Sequence, residues 1–523
     1  MKPESASGPA HTRAFIVFLA AALAVATGLW SLLAPTADLR VEALRVDDIP
    51  VTIFRPSSAP PGPVIVIAHG FAGSQQLMQP AAVTLAHSGY TAVTFDFAGH
   101  GRNARPLAGG VKDHEESARV LGSEIDRMIR FASTLPGAGL EKPRLGLVGH
   151  SMAAILIVNG AIHNDAVAGV VAFSNFGSGA TASEPNNLLV IDGAWEASAL
   201  KNDGLRIVGL ASGEPPRERF TYGEMARGTA RRLVYAEGAE HIGVIYSREG
   251  LTEMRDWMNA VFERTESGAI DARGKALGLL FLGVLGLAPP LSRLLPRVSP
   301  VPSGAGLGWR RQWPIAVAPA LLTPLMLWKA PTDFLPILLG DYLAVHFALY
   351  GALTFFCLWL SNFSGKSGQR PSADWRGTPW RGLLLAALPV VAYYGLGFGL
   401  PIDAFVTSIA PSSLRWLLIP AMFCSVVVYF LADEWLTRGP AAATGGYVFS
   451  KLCVVVSLAI AVALNPPKLF FLVIIVPVIC LFFMVFGWIS RWTYGRTGDP
   501  RVAALANAAA LAWSICATFP VVS

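Results

Sequence analysis

The chain has 523 residues, of which 53% are hydrophobic and only 15% are charged. Its mean hydropathy of +0.49 is too high for a soluble globular protein of average composition, so much of the chain is expected to lie in lipid. The formal net charge is +6, but residues 36–265 contain 21 basic and 25 acidic side chains, so the positive charge is carried by the rest of the chain. This distribution argues against nucleic acid as a partner, because such binding needs a basic patch on a folded face.

The first apolar segment runs from Ala14 to Leu33 and is long enough for a helix to cross a bilayer, which needs about 20 residues. A cleaved signal peptide is the alternative, but the segment is longer than a signal-peptide core, and LLAPTA is a poor cleavage site. We therefore predict a transmembrane anchor in residues 1–35, a globular domain in residues 36–265 and a membrane domain in residues 266–523.

Eight further apolar segments of membrane-spanning length follow Glu266. They lie near residues 275–295, 313–330, 334–360, 382–400, 414–436, 447–464, 468–490 and 501–520. Only APTD separates 313–330 from 334–360, so this pair could be divided differently. With the N-terminus in the cytoplasm, the cytoplasmic segments contain fifteen Lys and Arg residues and the short outer loops contain three. Because basic residues stay inside, we predict a multi-pass protein of the cell (inner) membrane with an extracytoplasmic globular domain.

Residues 36–265 alternate short β-branched segments with segments of helical character. Strands are predicted at 64–68, 91–95, 144–148, 167–173, 188–191 and 232–236, and a helix at 115–133. This alternation predicts an α/β fold in which helices cover both faces of a mostly parallel sheet. Ligand sites of such sheets lie at the carboxyl ends of the strands. The domain contains no cysteine, so a disulfide framework is excluded there.

The sequence GHSMA, residues Gly149 to Ala153, joins the strand at 144–148 to an alanine-rich segment of helical length. In a tight strand-to-helix turn, small residues on both sides of a serine let its hydroxyl protrude from the backbone, as a nucleophile requires. The usual pattern of such a turn is G-x-S-x-G, and Ala153 stands at its second glycine. This substitution keeps the turn but crowds it. The motif alone also fits a turn serine without a catalytic role.

Two more motifs follow strands of the same sheet. HGFAGS begins at His69 and DFAGHG begins at Asp96. The backbone N–H groups of Phe71 and Met152 could together hold a developing oxyanion. These motifs and their order resemble the α/β-hydrolase fold family, particularly its serine-aminopeptidase-like and dienelactone-hydrolase-like branches. The resemblance covers residues 36–265 and does not extend to the membrane spans.

The resemblance implies a catalytic serine, acid and histidine in that chain order. A serine needs a base to activate it and an acid to orient that base. Ser151 is the expected nucleophile, and His241 lies just past the last predicted strand, where the family has its base. The family pattern G-x-x-D recurs as GAWE, which makes Glu196 the expected acid. Asp192 and Asp203 remain alternatives.

Other polar residues of these motifs have structural explanations. His69, His100 and His150 are expected to order loops through hydrogen bonds, because no H-x-x-x-H motif or carboxylate cluster that would bind a metal accompanies them. Asp96 precedes the serine and so breaks the family order, which leaves it the role of fixing a loop. Neither a metal nor another cofactor is needed for the predicted reaction.

The predicted reaction is acyl transfer to water through an acyl-serine intermediate, at a carboxylic ester, with an amide or thioester as alternatives. Many family members insert a helical lid between the strands that correspond to 167–173 and 188–191. Residues 174–187, which join these two strands here, leave no room for such a lid. The resulting open site suits a small-molecule or surface-presented acyl substrate. The natural substrate and the oligomeric state do not follow from the sequence.

Two functions of other classes also fit the chain. The globular domain could be a degenerate hydrolase that serves as a binding module, although an ordered serine, acid and histidine argue against this. Alternatively, the hydrolase could be coupled to a membrane domain that transports or senses. Ionisable residues within spans mark such pathways, and the candidates are Asp341, His346, Asp433 and Glu434.

Overall fold

The computed structural model describes residues 8–110, 113–139, 142–213, 215–363 and 380–523. The chain divides into two compact units. The sheet unit comprises Thr27–Gly278, Ile402–Ser412 and Thr518–Ser523, and the helical unit takes the remaining described residues. Two short segments that the sequence placed in the membrane domain therefore belong to the sheet unit. Four basic residues behind the topology prediction lie outside the described residues: Lys2, Lys366, Arg370 and Arg376.

The described residues of the sheet unit form one nine-stranded sheet with the order β1-β2-β4-β3-β5-β6-β7-β9-β8. The strands are β1 (Leu39–Val46), β2 (Ile49–Pro56), β3 (Val64–Ala68), β4 (Thr91–Phe95), β5 (Leu145–His150), β6 (Val167–Phe173), β7 (Leu188–Gly193), β8 (Thr221–Tyr222) and β9 (Arg231–Ala236). From β4 to β9 neighbouring strands are parallel, whereas β2 pairs antiparallel with β1 and β4, and β8 pairs antiparallel with β9.

The predicted parallel sheet is confirmed. Strands β3, β4 and β6 have the predicted bounds, and the other three predicted strands end within two residues of them. Every residue of β3 and β4 is buried, which explains why these strands are continuous apolar segments. The antiparallel strands β1, β2 and β8 were not predicted, and β1 and β8 are the two edges of the sheet. β1 is mostly accessible and contains charged residues, and β8 has only two residues.

Helices cover both faces of this sheet. The first six helices of the chain are α1 (Gly8–Leu33), α2 (Gln79–His87), α3 (His114–Ser133), α4 (Met152–Ala161), α5 (Ser198–Ser212) and α6 (Arg248–Val261). Helices α3, α4 and α5 pack into the core on one face, and α2 and α6 pack into the core on the other. Side-chain caps begin two of them: Asp113 accepts the N–H of Glu116, and Ser247 accepts that of Gly250. Two hydrophobic cores, one on each face of the sheet, thus hold in place the strands at whose carboxyl ends the ligand site is predicted.

The remaining helices are α7 (Gly274–Ser292), α8 (Trp309–Leu327), α9 (Gly340–Phe363), α10 (Trp380–Tyr393), α11 (Leu400–Phe405), α12 (Ser413–Thr437), α13 (Gly446–Leu464), α14 (Pro466–Leu469), α15 (Leu472–Thr497) and α16 (Pro500–Thr518). A π-helical turn, Tyr394–Gly399, joins α10 to α11. Among the described residues, eight helical stretches are long and apolar enough to cross a membrane: α1, α7, α9, α10 with α11, α12, α13, α15 and α16.

The crossing predicted at 313–330 corresponds to α8, which is not among those eight stretches. Three prolines and two arginines make this helix less apolar than its neighbours: Pro314, Pro319, Pro324, Arg310 and Arg311. Its crossing therefore stays a prediction. The next helix was expected from residue 334 and begins at Gly340.

Two of the ionisable residues singled out in the spans form ion pairs in the helical unit. Lys451 Nζ lies 2.6 Å from Asp433 Oδ2 and 2.8 Å from the Tyr429 hydroxyl. Arg438 Nε lies 3.1 Å from Glu434 Oε2. A buried charge needs a partner, and here each of the two carboxylates has a cation beside it. One pair therefore links α12 to α13, and the other joins α12 to the residue that follows it.

Candidate active site

Ser151 occupies the sharp turn between β5 and α4. Its φ of 57° and ψ of −118° are strained for a residue with a side chain. Gly149 permits this turn, because a Cβ there would lie 2.8 Å from the main-chain oxygen of Ala153. The backbone of Ser151 is therefore held in a strained conformation that presents its hydroxyl at the carboxyl end of a central strand.

His241 contacts that hydroxyl directly. Its Nε2 lies 2.9 Å from Ser151 Oγ, within hydrogen-bond range. His241 lies in the loop that follows β9, where Glu240 accepts the N–H groups of Ile242 and Gly243 at 2.8 and 2.7 Å. These bonds fix the loop, so the imidazole is positioned to take the serine proton.

Glu196 lies on the other side of the imidazole. Its Oε2 is 3.5 Å from His241 Nδ1, and its side chain is almost fully buried. The other oxygen, Oε1, accepts hydrogen bonds from Ser174 Oγ at 2.5 Å and from Gly193 N–H at 3.2 Å. Burial opposes ionisation, but the interactions with His241 and Ser174 outweigh it and lower the pKa of Glu196. The carboxylate is thus charged and faces the ring nitrogen that does not contact the serine.

Gly193 explains why β7 can bring this acid so close. A Cβ on Gly193 would lie 2.5 Å from the carbonyl oxygen of Ala239, two residues before His241. The end of β7 and the histidine loop therefore pack backbone to backbone, which only glycine allows. The glycine of the GAWE sequence is required by this packing, and its main-chain N–H also donates to Glu196.

The two alternative acids lie elsewhere. Asp192 is fully buried, and burial, together with the carboxylates of Glu196 and Asp203, raises its pKa well above the usual value. Asp203 accepts hydrogen bonds from Asn175 Nδ2 at 3.2 Å and Gly177 N–H at 2.9 Å. Asp203 therefore orders the loop after β6, whereas Glu196 is the carboxylate placed at His241.

Ser174 is a site residue that the sequence did not indicate. It follows β6 with a φ of 56°, in the left-handed region, and is buried. Its hydroxyl donates to Glu196, so it fixes the orientation of the acid. No motif marks this serine, because the contact depends on β6 and β7 being neighbours in the sheet.

The segments that contain the predicted oxyanion donors lie next to Ser151. A Cβ on Gly70 would lie 3.0 Å from Ser151 Cβ, so the HGFAGS loop passes against the serine. The loop contains a turn closed by the bond from Gly73 N–H to Gly70 O, and Phe71 lies within it. Met152 is the first residue of α4, where a main-chain N–H has no acceptor within the helix. Phe71 thus lies in a loop that passes Ser151, and Met152 directly follows Ser151 in the chain.

The motif histidines contact main-chain groups. His150 Nε2 lies 2.8 Å from the carbonyl oxygen of His241, and burial lowers the pKa of His150 to about 3. His150 is therefore neutral and donates its Nε2–H to hold the backbone of the base. His69 Nε2 accepts the N–H of Phe97 at 3.2 Å, and His100 Nδ1 lies 2.9 Å from the oxygen of Ala98.

Asp96 joins the loops that follow β3 and β4. Its oxygens accept the N–H of Gln75 at 2.8 Å and that of Arg102 at 2.9 Å. The side chain is fully buried, so these bonds are shielded from water. Asp96 thus lies in a loop-fixing position and not at His241.

The site has no helical cover in the segment where a lid would be inserted. Residues 174–187 form turns and extended backbone without a helix. Phe176, two residues after Ser174, exposes 52% of its surface, and Trp195, which directly precedes Glu196, exposes 72%. Among the described residues, no group of three His, Cys, Asp or Glu side chains is placed to hold a metal ion.

Comparison with known proteins gives one family match. Residues 59–198 match the family described as "Serine aminopeptidase, S33". This range includes both glycine-containing loops, Ser151 and Glu196, and it ends before His241. No curated protein matches the chain.

Several solved structures are similar to part of the chain. They include TT1662 from Thermus thermophilus (18% identity, 43% of this chain and 99% of that chain, TM-score 0.33) and Est1E from Butyrivibrio proteoclasticus (11% identity, 43% and 99%, TM-score 0.30). The match to a mutant epoxide hydrolase of Vigna radiata has 21% identity and a TM-score of 0.21, and covers 27% of this chain and 39% of that chain.

Proposed function

Given that the chain carries an α/β-hydrolase domain joined to a region of apolar helices, we propose that it is a membrane-bound serine hydrolase that cleaves carboxylic esters. The observation that carries this proposal is the 2.9 Å contact between Ser151 Oγ and His241 Nε2, with Glu196 at the opposite ring nitrogen. The strained conformation of Ser151 supports it, because a turn serine without function gains nothing from that strain.

The proposed reaction proceeds in two balanced steps. His241 Nε2 takes the proton of Ser151 as Oγ attacks the carbonyl carbon, and the N–H groups of Phe71 and Met152 stabilise the negative oxygen. The imidazolium, stabilised by Glu196, then gives its proton to the departing alcohol, which leaves an acyl-serine. A water molecule attacks this ester by the same route and releases the carboxylic acid and free Ser151. The residues named supply every proton transfer, so the mechanism uses no cofactor.

An ester is the first candidate for the bond cleaved, and the openness of the site bears on the size of the acyl group. Without a helix in residues 174–187, the site is suited to small or surface-presented acyl groups. The family description names an aminopeptidase, which keeps an amide or peptide bond as the second candidate. The chemistry of both candidates uses the same nucleophile and base, so only substrate turnover separates them.

The test is to label membranes that contain the full-length protein with a fluorophosphonate and then assay chromogenic esters and aminoacyl amides. We expect labelling at Ser151 and turnover of short esters, with amides hydrolysed much more slowly. Amide turnover at a rate equal to or above that of the matched ester would replace the esterase assignment with the peptidase one.

The location of two short segments supports an extracytoplasmic hydrolase domain and nine crossings. Along the sequence, helices α7 to α10 come after the last strand of the sheet and before the segment Ile402–Ser412. Helices α12, α13, α15 and α16 come after that segment and before Thr518–Ser523. Both segments belong to the sheet unit and must share its side of the membrane. An even number of crossings is therefore needed in each interval, and the first interval has four only if α8 crosses. The positive-inside pattern then puts this shared side outside the cytoplasm.

A further inference from the structure

The segment Ile402–Ser412, here called the outer segment, packs into the sheet unit although helices flank it on both sides. It follows α10 and the π-helical turn and precedes α12. More than three hundred residues of sequence separate it from the loops after β3 and β4. Its contacts there involve side chains that the proposed reaction does not use.

The first set of contacts joins the outer segment to the HGFAGS loop. The N–H of Ser408 donates to Ser74 Oγ at 2.8 Å, and Thr407 Oγ1 lies 3.1 Å from the same oxygen. Ser74 gives its own proton to Gln76 Oε1 at 2.8 Å, so Thr407 is the donor in its contact. Ser74 and Ser408 are both almost completely buried, which makes these bonds inaccessible to water.

The second set joins the outer segment to the loop after β4. Arg102 Nη2 lies 2.7 Å from Asp403 Oδ2, and Arg102 Nε donates to Ser408 Oγ at 3.3 Å. Asp403 Oδ1 accepts the N–H groups of Ile409 and Ala410, each at 2.9 Å. One carboxylate thus holds the turn of the outer segment and the guanidinium of the loop together.

Asp96 also links the two loops directly, so the loops and the outer segment form a closed ring of contacts. It accepts the N–H of Gln75, next to Ser74, and the N–H of Arg102. The two active-site loops are therefore linked once through Asp96 and a second time through the outer segment. Phe71, the proposed oxyanion donor, lies three residues before Ser74 in the loop that this ring fixes.

We propose that the outer segment is a positioning element of the oxyanion hole, in which Asp403 and Ser408 act through Arg102 and Ser74 on the N–H of Phe71. This inference rests on the proposed serine-hydrolase function. None of these four residues touches the reacting atoms. A misplacement of about 1 Å at a catalytic donor can cost on the order of 10²-fold in rate, so a loosened loop has a measurable effect.

The experiment uses the full-length protein in detergent or lipid and compares three single variants: Asp403→Asn, Ser74→Ala and Thr407→Val. Fluorophosphonate titration counts the active sites, so each rate refers to folded enzyme. We expect kcat to fall about 10- to 100-fold for Asp403→Asn and Ser74→Ala, with KM nearly unchanged, because the full loss of one oxyanion donor costs roughly 10²- to 10³-fold. Thr407→Val removes one contact and should have a smaller effect in the same direction.

A second probe distinguishes positioning from a general loss of structure. A trifluoromethyl ketone forms a tetrahedral adduct whose oxyanion occupies the hole, so its affinity should weaken by the same factor as kcat/KM in each variant. Glu253→Gln is the matched control, because it breaks an ion pair of 3.0 Å between α6 and Arg232 of β9, which includes no residue of the outer segment or of the two loops. This control should leave both quantities unchanged.

Rates and ketone affinities within twofold of wild type for both Asp403→Asn and Ser74→Ala would overturn the inference. If one variant yields no titratable sites, the other variant and Thr407→Val decide the question by the same criterion. Failure of the proposed function has a different signature, because Ser151→Ala would then retain labelling and turnover whatever the outer-segment variants do.

Discussion

Ser174 Oγ donates a hydrogen bond of 2.5 Å to Glu196 Oε1, across the ends of two neighbouring strands. The carboxylate that we propose to orient His241 is therefore itself held by a serine outside the nucleophile turn. A hydrogen bond to a charged group contributes about 1.5–3 kcal/mol, so its loss should be measurable.

We expect Ser174→Ala to reduce ester turnover by roughly 10-fold or more while Ser151 still takes a fluorophosphonate label, because Glu196 loses one of its two neutral donors. Ser123→Ala is the control, since the Ser123 hydroxyl donates to the carbonyl oxygen of Val120 within α3. Turnover and labelling rates are measured on both variants. Equal turnover in the two variants would show that Ser174 has no role in orienting the acid.

Replacing the acid tests the assignment of Glu196. Glu196→Gln should favour the wrong imidazole tautomer and lower turnover by up to about 10⁴-fold. Glu196→Asp keeps the charge but shortens the side chain, so partial activity is expected. Asp192→Asn should cost little, because burial raises the pKa of Asp192 and so favours the protonated form, and an amide has nearly the same shape as that form. Near-normal turnover of Glu196→Gln with a collapse in Asp192→Asn would transfer the role to Asp192.

His150 makes stability depend on pH. Burial lowers its pKa to about 3 in the folded protein, whereas an unfolded histidine has a value near 6.5. Between these values the unfolded chain binds the extra proton, so the stability contributed by neutral His150 is lost as pH falls below about 6.5. One such proton is equivalent to about 1.4 kcal/mol for each pH unit.

The measurement is the apparent unfolding temperature of wild type and His150→Gln between pH 5 and pH 8. The wild-type curve should fall more steeply toward pH 5, and the two curves should run parallel above pH 7. Comparing the two proteins removes the contributions of other groups, including the opposing one from Asp192. Parallel curves over the whole range would mean that His150 takes up its proton without unfolding.

Reporter fusions test the topology. A phosphatase reporter fused after Thr265 or after Ser523 should be active, because both positions are expected outside the cytoplasm. A reporter fused near Gly368 should be inactive, since the positive-inside pattern places that loop in the cytoplasm. An inactive fusion at Ser523 with an active one at Thr265 would mean an odd number of crossings after the sheet unit and would remove α8 from the spans.

The strands that could be predicted were those buried on both faces. β3, β4 and β6 are continuous apolar segments because helices cover both sides of a parallel sheet, and their bounds follow directly from composition. β1 escaped prediction because it is an edge strand with charged, accessible residues. The local pattern of an edge strand does not differ from that of a loop.

The same distinction applies to the site. Ser151 lies in a local motif, and its position could be predicted from five consecutive residues. His241 and Glu196 could be named only through the chain order of a resembling family. Ser174 and the outer segment have no local motif, because their contacts depend on strand neighbours and on residues hundreds of positions away in sequence.

The role of Ser151 as nucleophile is tested by comparing Ser151→Ala with Ser123→Ala for fluorophosphonate labelling and ester turnover in membranes. We expect Ser151→Ala to lose the label completely and to lose turnover by about 10⁶-fold, as removal of a triad serine does. Ser123→Ala should retain both, and the labelled peptide of wild type should contain Ser151. Labelling or turnover that persists in Ser151→Ala would contradict the assignment of the nucleophile and the proposed function with it.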